Sequence, residues 1–350
     1  MQYNPLCIVY TILRHDTTVA LLRCMNNVST DRATTTLTTG TVNPLRELLR
    51  AMRPRQWVKN AFVFAALAFS EDRLWQFWGD AGPGPLLRVI GAFIAFSMAA
   101  SAIYLVNDLV DIEKDRAHPK KRERPFASGR LDPRIGIAAA VVLMLAIIPL
   151  AIVLDRDPLP APLDLDFLAV LVLYIVIQGF LYTYWLKNVV IFDILVLAAG
   201  FVLRAVAGAA VLDIQITPWL LLCMLLLALF LGIGKRRHEL TLLEQGAGEH
   251  RRILQEYSVP MLDQMMSIVT ASIIMAYSIT AFLAPVAPQE PYPMLMMTIP
   301  FVIYAIFRYL YLIYQRGEGG APEDLLLRDR PLASSVVLWG ITVLGVLFFF

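Results

Sequence analysis

Asn107, Asp108, Asp111 and Asp115 open the run NDLVDIEKDRAHPKKRERPFASG (107–129), directly after a long apolar stretch. Intervals of three and four place such side chains on one face of a helix. Their oxygens suit a hard divalent cation such as Mg²⁺, which binds proteins through few carboxylates and completes its shell with water and phosphate. Lys120, Lys121, Arg122 and Arg124 follow in the same run, and are the side chains that would meet phosphates carried by that metal. A solvated helix face is the bland alternative. An Asn-Asp pair where a helix leaves a membrane, with acids three and seven residues after the Asp, favours a metal site.

Three further polar groups interrupt the apolar chain: RPRQWVK (53–59), Tyr182 with Lys187 and Asp193, and GKRRHE (234–239). Each falls at the same end of a predicted span, so they read as one rim around a shared cavity. Lys59 and Lys187 serve either as phosphate ligands or as cations snorkelling at helix ends. Tyr184 and Trp185 read as an interfacial aromatic belt. His238 has no second histidine at ligand spacing and reads as a solvated helix end. Asp193, about one turn inside its span, is expected to hold Lys187 or a substrate hydroxyl. Arg204 lies eleven residues further, about 16 Å along a helix, too far to pair with Asp193; a structural role, bonding carbonyls or snorkelling outward, stands beside a catalytic one. Gly200 and Gly208 offer small surfaces for tight helix packing.

The elements that must position these groups are membrane helices. Of the 350 residues 58% are hydrophobic and 17% charged, and mean hydropathy is +0.63, a balance foreign to soluble domains. A net charge of +2 with clustered basic residues gives no footprint for nucleic acid. Cys7, Cys24 and Cys223 form no CxxC pair, which argues against a disulfide framework or a zinc site. Hydropathy predicts about nine spans, at 56–70, 86–108, 134–154, 165–184, 189–212, 217–234, 263–284, 293–314 and 332–350. The expectation is an all-α polytopic membrane protein. The segment 1–43 has no run of spanning length and no cleavage site after an apolar region, and reads as a loose extension before a transmembrane domain at 44–350. Residues 45–52 read as a short interfacial helix. The Pro-rich connections 155–166 and 285–293 carry almost no Lys or Arg, whereas 109–133, 235–262 and 315–331 carry most of it. The positive-inside rule then predicts a multi-pass protein of the plasma membrane with a cytoplasmic amino terminus, cytoplasmic basic loops and Phe350 outside.

With these motifs in place, the chain resembles the UbiA superfamily of intramembrane prenyltransferases: NDLVDIEKD fits NDxxDxxxD. RPRQWVKN, GFVLRAVAG, GKRRHEL and PEDLLLRDR resemble, more narrowly, its decaprenyl-phosphate phosphoribosyltransferase branch. The resemblance implies a ring of about nine helices around a cavity facing the cytoplasm. It implies Mg²⁺ at Asn107, Asp108, Asp111 and Asp115, with Asp108 and Asp111 acting in catalysis through the metal and no dedicated general base. Where the wider superfamily usually carries a second acidic motif, this chain has Lys235, Arg236 and Arg237, with Glu239 the principal carboxylate. That departure fits a polyprenyl monophosphate held by cations, with 5-phosphoribosyl 1-diphosphate as donor and diphosphate as leaving group. Lys59, Lys120, Lys121, Arg122, Arg124, Tyr182, Lys187, Asp193, Lys235, Arg236 and Glu239 are then the substrate-binding candidates. The product would serve cell-envelope arabinan synthesis. Two rivals stay open: prenyl transfer from a prenyl diphosphate to an aromatic acceptor, and transport.

Overall fold

Apolar runs of about twenty residues become helices because the lipid core offers no partner for an open backbone N–H or C=O. The computed structural model describes residues 43–69, 83–117, 121–155, 167–244, 252–284, 287 and 289–349, and the extension expected over 1–43 lies outside them save for its last residue. Among the described residues there is no strand. Pro44–Phe350 is one structural unit.

A short amphipathic helix, α1 (Pro44–Met52), begins it. Leu48 and Met52 of α1 pack with Ala102, Leu105 and Phe126, while Leu45 and Leu49 stay exposed. A 3₁₀ segment (Pro54–Phe64) and the single turn α2 (Ala65–Ala68) follow. Then come α3 (Gly84–Val110), the short α4 (Ile112–Ala117) and α5 (Pro133–Leu154). The next span is α6 (Phe167–Tyr174), a π-helical stretch (Ile175–Leu181) and α7 (Tyr182–Tyr184). After it run α8 (Phe192–Leu212), α9 (Pro218–Glu244), α10 (Val259–Leu283), α11 (Ile299–Arg316), α12 (Pro322–Arg328) and α13 (Arg330–Phe349).

Eight of these stretches are long and apolar enough to cross a membrane among the described residues, against the nine expected. The difference lies at 56–70, where the chain starts with Pro54, Arg55 and Gln56 and takes an eleven-residue 3₁₀ path before a four-residue α turn. The span expected at 217–234 runs on to Glu244, so GKRRHEL is helix, not loop.

The surface confirms the solvent. Helix α5 has the highest hydropathy of the eight, 3.1, yet only 17% of its apolar window is buried. It exposes Val141, Val142, Leu145, Ile148 and Ile152, a surface stable only against lipid. The chain is a multi-pass membrane protein. Its interior has two main apolar clusters. One joins Phe96, Phe167, Tyr174, Val211 and Val346, and the other joins Ile194, Phe230, Leu262, Met266 and Tyr309.

Between α3, the 3₁₀ segment and α8 lies a buried polar chain centred on Arg204. Its guanidinium donates to Asn60 Oδ1 (2.8 Å), Gly200 O (2.6 Å) and the Tyr174 hydroxyl (2.8 Å), and lies over the Tyr174 ring. Asn60 donates on to Ser97 Oγ (3.1 Å). An arginine inside a membrane requires such partners, and these tie α8 to the 3₁₀ segment and to α6. Gly208 permits the same crossing, because a Cβ there would stand 2.0 Å from Val63 O.

Candidate functional site

The Asn107 motif sits where α3 ends. The helical ladder continues through the interruption, with Asp111 N–H donating to Asn107 O (3.0 Å) and Asp115 N–H to Asp111 O (2.8 Å). The four side chains nevertheless meet different surroundings. Asp108 is 3% exposed, and its Oδ1 accepts from Arg53 Nη2 (2.5 Å) and Arg124 Nη1 (3.2 Å). Arg124 bridges to Asp115 Oδ2 (2.8 Å), also buried. Asp111 is 26% exposed, 3.1 Å from Lys114 Nζ and 3.9 Å from Lys187 Nζ, a contact that brings in the loop before α8. Asn107 Oδ1 is buried without a hydrogen-bond partner.

That orphaned acceptor and the half-open Asp111 carboxylate test the fit of a divalent cation. Among the described residues no three Asp, Glu, His or Cys side chains gather as a metal cage. Two of the expected ligands, Asp108 and Asp115, are drawn to arginines, because a buried carboxylate needs a counter-charge. The donor set therefore fits magnesium bound through few protein oxygens and finished by phosphate, not a site closed by protein alone.

A second charged cluster joins α8, α9 and the approach to α10. Asp193 is fully buried, with Oδ2 accepting from Arg236 Nε (2.7 Å) and Oδ1 from the Tyr257 hydroxyl (2.7 Å). Arg236 Nη1 donates to Glu239 Oε2 (2.5 Å). Tyr257 also accepts from the N–H of Ile191, whose φ of 70° is rare for a β-branched residue. Burial, then the hydrogen bond to Asp193, hold the Tyr257 phenol above its ordinary range, so it is a neutral donor. Ile191 begins α8 four residues after Lys187, so this lock fixes the loop carrying Lys187.

Two expected substrate ligands meet each other here: Arg236 is 3% exposed and ion-paired, and Asp193 accepts from Arg236 and Tyr257, its ion pair being to Arg236 and not to Lys187. Lys235 and Arg122 are exposed; Lys59, Lys121 and Tyr182 are half-buried; Lys120 lies outside the described residues. Glu239 serves Arg236. Sequence reasoning placed Arg53 in the polar rim at 53–59 without a partner, and did not single out Tyr257. Their partners lie 55 and 64 residues away, and nothing in either local sequence announces them.

The structure is thus a helical membrane bundle with the Asn107 motif at the end of its first long span, and Arg53, Lys114, Arg124 and Lys187 stand against its carboxylates. The chain belongs to the UbiA prenyltransferase family, whose model matches residues 62–324. It is 33% identical over 315 residues to the decaprenyl-phosphate phosphoribosyltransferase of Mycolicibacterium smegmatis, covering 88% of this chain and 94% of that protein. Against the Mycobacterium tuberculosis H37Rv protein of that name it is 34% identical over 302 residues, covering 86% and 94%. A UbiA homolog from Archaeoglobus fulgidus, solved with GPP and Mg²⁺, superposes with a TM-score of 0.61 at 15% identity, over 86% of this chain and 99% of that one. At that identity the likeness concerns the fold.

Proposed function

We propose that this protein transfers 5-phosphoribosyl from 5-phosphoribosyl 1-diphosphate to a polyprenyl monophosphate of decaprenyl type, releasing diphosphate, to supply a precursor for cell-envelope arabinan. The observation that carries this reading is the likeness, over nearly the full length of both chains, to relatives named decaprenyl-phosphate phosphoribosyltransferase. The basic character of Gly234–Glu239, where the superfamily usually keeps a second acidic motif, agrees with it.

A lipid-phosphate oxygen forms the bond to ribose C1 as the bond from C1 to the diphosphate oxygen breaks, its electron pair leaving with diphosphate. Asn107, Asp111 and the second oxygen of Asp108, with Asp115 behind them, would hold magnesium, which when bound neutralises charge on the leaving group. Lys187, placed beside Asp111 by the Asp193–Tyr257–Arg236 lock, supplies positive charge to the phosphates. Lys59, Lys121, Arg122 and Lys235 are the other cations for donor and lipid phosphate. The nucleophile is a phosphate already anionic at neutral pH, so these residues orient it and exclude water, and no side chain need act as general base. An apolar cavity of about 300 Å³ between Phe64, Leu67, Phe69, Trp339, Val343 and Leu347 contains no residue of either charged cluster and suits a stretch of isoprenoid chain. The charge of the loops supports a site at the cytoplasmic face of the plasma membrane.

The test supplies purified protein with ribose-labelled donor, Mg²⁺ and polyprenyl phosphates of several lengths, and analyses the lipid extract by thin-layer chromatography. A labelled, acid-labile lipid formed only with both substrates and metal is the expected result. Label that never enters the lipid phase refutes the proposal.

A further inference from the structure

Arg53 lies in the left-handed region, φ 54 and ψ 62, directly before Pro54. That conformation is uncommon for a residue with a Cβ, and a following proline disfavours it further. Strain of this kind persists only where the surroundings hold it. The segment beyond it is tied to α3, where Trp57 Nε1 donates to Ser101 Oγ (3.0 Å), and the single proton of that hydroxyl faces Ser97 O (2.7 Å) with Met52 O beside it (3.3 Å). The side chain so directed lies over the Tyr104 ring, 4.7 Å from its centroid, and donates to Asp108 Oδ1. Arg124 takes the same oxygen. Among the described residues no hydrogen bond reaches Asp108 Oδ2.

We infer that Arg53 is the positioning residue of the Asn107 motif: it holds the Asp108 carboxylate by one oxygen and leaves the other to a divalent cation shared with the diphosphate group. The inference rests on the metal reading above. Carboxylates that bind metals are themselves held by outer hydrogen bonds, and loss of such a partner weakens metal affinity by about 10- to 100-fold. Arg53 meets that requirement through a strained backbone and a stacked guanidinium, more than a surface ion pair would need.

The test measures Mn²⁺ binding to the full-length protein in detergent with inorganic diphosphate, free Mn²⁺ being read by electron paramagnetic resonance, so turnover does not enter. Arg53→Gly accepts the positive φ without strain. Arg53→Lys keeps the charge but loses the planar fork that stacks and donates together. The expected result is a dissociation constant raised about 10- to 100-fold in Arg53→Gly and by a smaller factor in Arg53→Lys, with unfolding temperatures near wild type. Constants within about twofold of wild type in both variants would make Arg53 a structural pin and overturn the inference. Tighter binding in Arg53→Gly would make it a competitor of the metal and overturn it equally. If Arg53→Gly does not purify as folded protein, Arg53→Lys decides by the same criterion. A wild-type protein without a saturable Mn²⁺ site removes the metal reading itself, and this inference with it.

Discussion

The side chains of the Asn107 motif divide the labour by exposure. Asp111 is the open carboxylate, so Asp111→Asn keeps shape and fold while removing charge where a metal-assisted leaving group needs it; turnover is expected to fall about 10²-fold or more. Wild-type-like turnover at limiting Mg²⁺ would take Asp111 out of the site. Lys235 and Arg236, adjacent in sequence, should part company. Arg236→Ala strands the buried Asp193 carboxylate, and a loss of about 3–5 kcal/mol of stability is expected, read as a lowered unfolding temperature. Lys235→Ala is expected to leave stability unchanged and to raise the Michaelis constant for a phosphate-bearing substrate roughly tenfold, the cost of one charge-assisted contact. At this scale the Asn107 motif was legible as a candidate because spacing and chemistry coincide within nine residues. The fate of Arg236 was not, since a cation on a helix reads as solvated until a carboxylate 43 residues away in sequence is known to be beside it.

At the scale of elements, hydropathy located seven of the spans to within a few residues at both ends and an eighth at its start, because each must satisfy its own backbone in lipid. It missed the 3₁₀ path of Pro54–Phe64, whose direction depends on the side chains of α3 and α8 against which it packs. It also missed the run of α9 beyond the apolar window, where Arg236 and Arg237 find acidic partners that let the helix continue. The crossing of α8 with the 3₁₀ segment gives a sharp test. Gly208→Ala would drive a Cβ into Val63 O, a backbone atom that cannot step aside, and is expected to cost about 3 kcal/mol or more. Gly345→Ala in α13 meets nothing within 4 Å and is expected to leave the unfolding temperature in detergent unchanged or higher. Equal effects of the two substitutions would contradict this crossing.

At the scale of the whole molecule, composition and loop charge already described a helical bundle with its polar groups at one end, and the structure joins those groups into two clusters linked through the Lys187 loop. One cluster keeps the Asp111 carboxylate partly exposed. The other is closed and holds it in place. The central claim is that this frame, shared with prenyltransferases, serves a sugar donor and a lipid phosphate. The most direct measurement is a comparison of initial rates on one purified preparation with Mg²⁺: labelled 5-phosphoribosyl 1-diphosphate with polyprenyl phosphate, against labelled prenyl diphosphates with aromatic acceptors. Transfer confined to the first pair, with diphosphate released in equal amount, is the predicted result. Prenylation of an aromatic acceptor, with no ribose label entering lipid, would contradict the account.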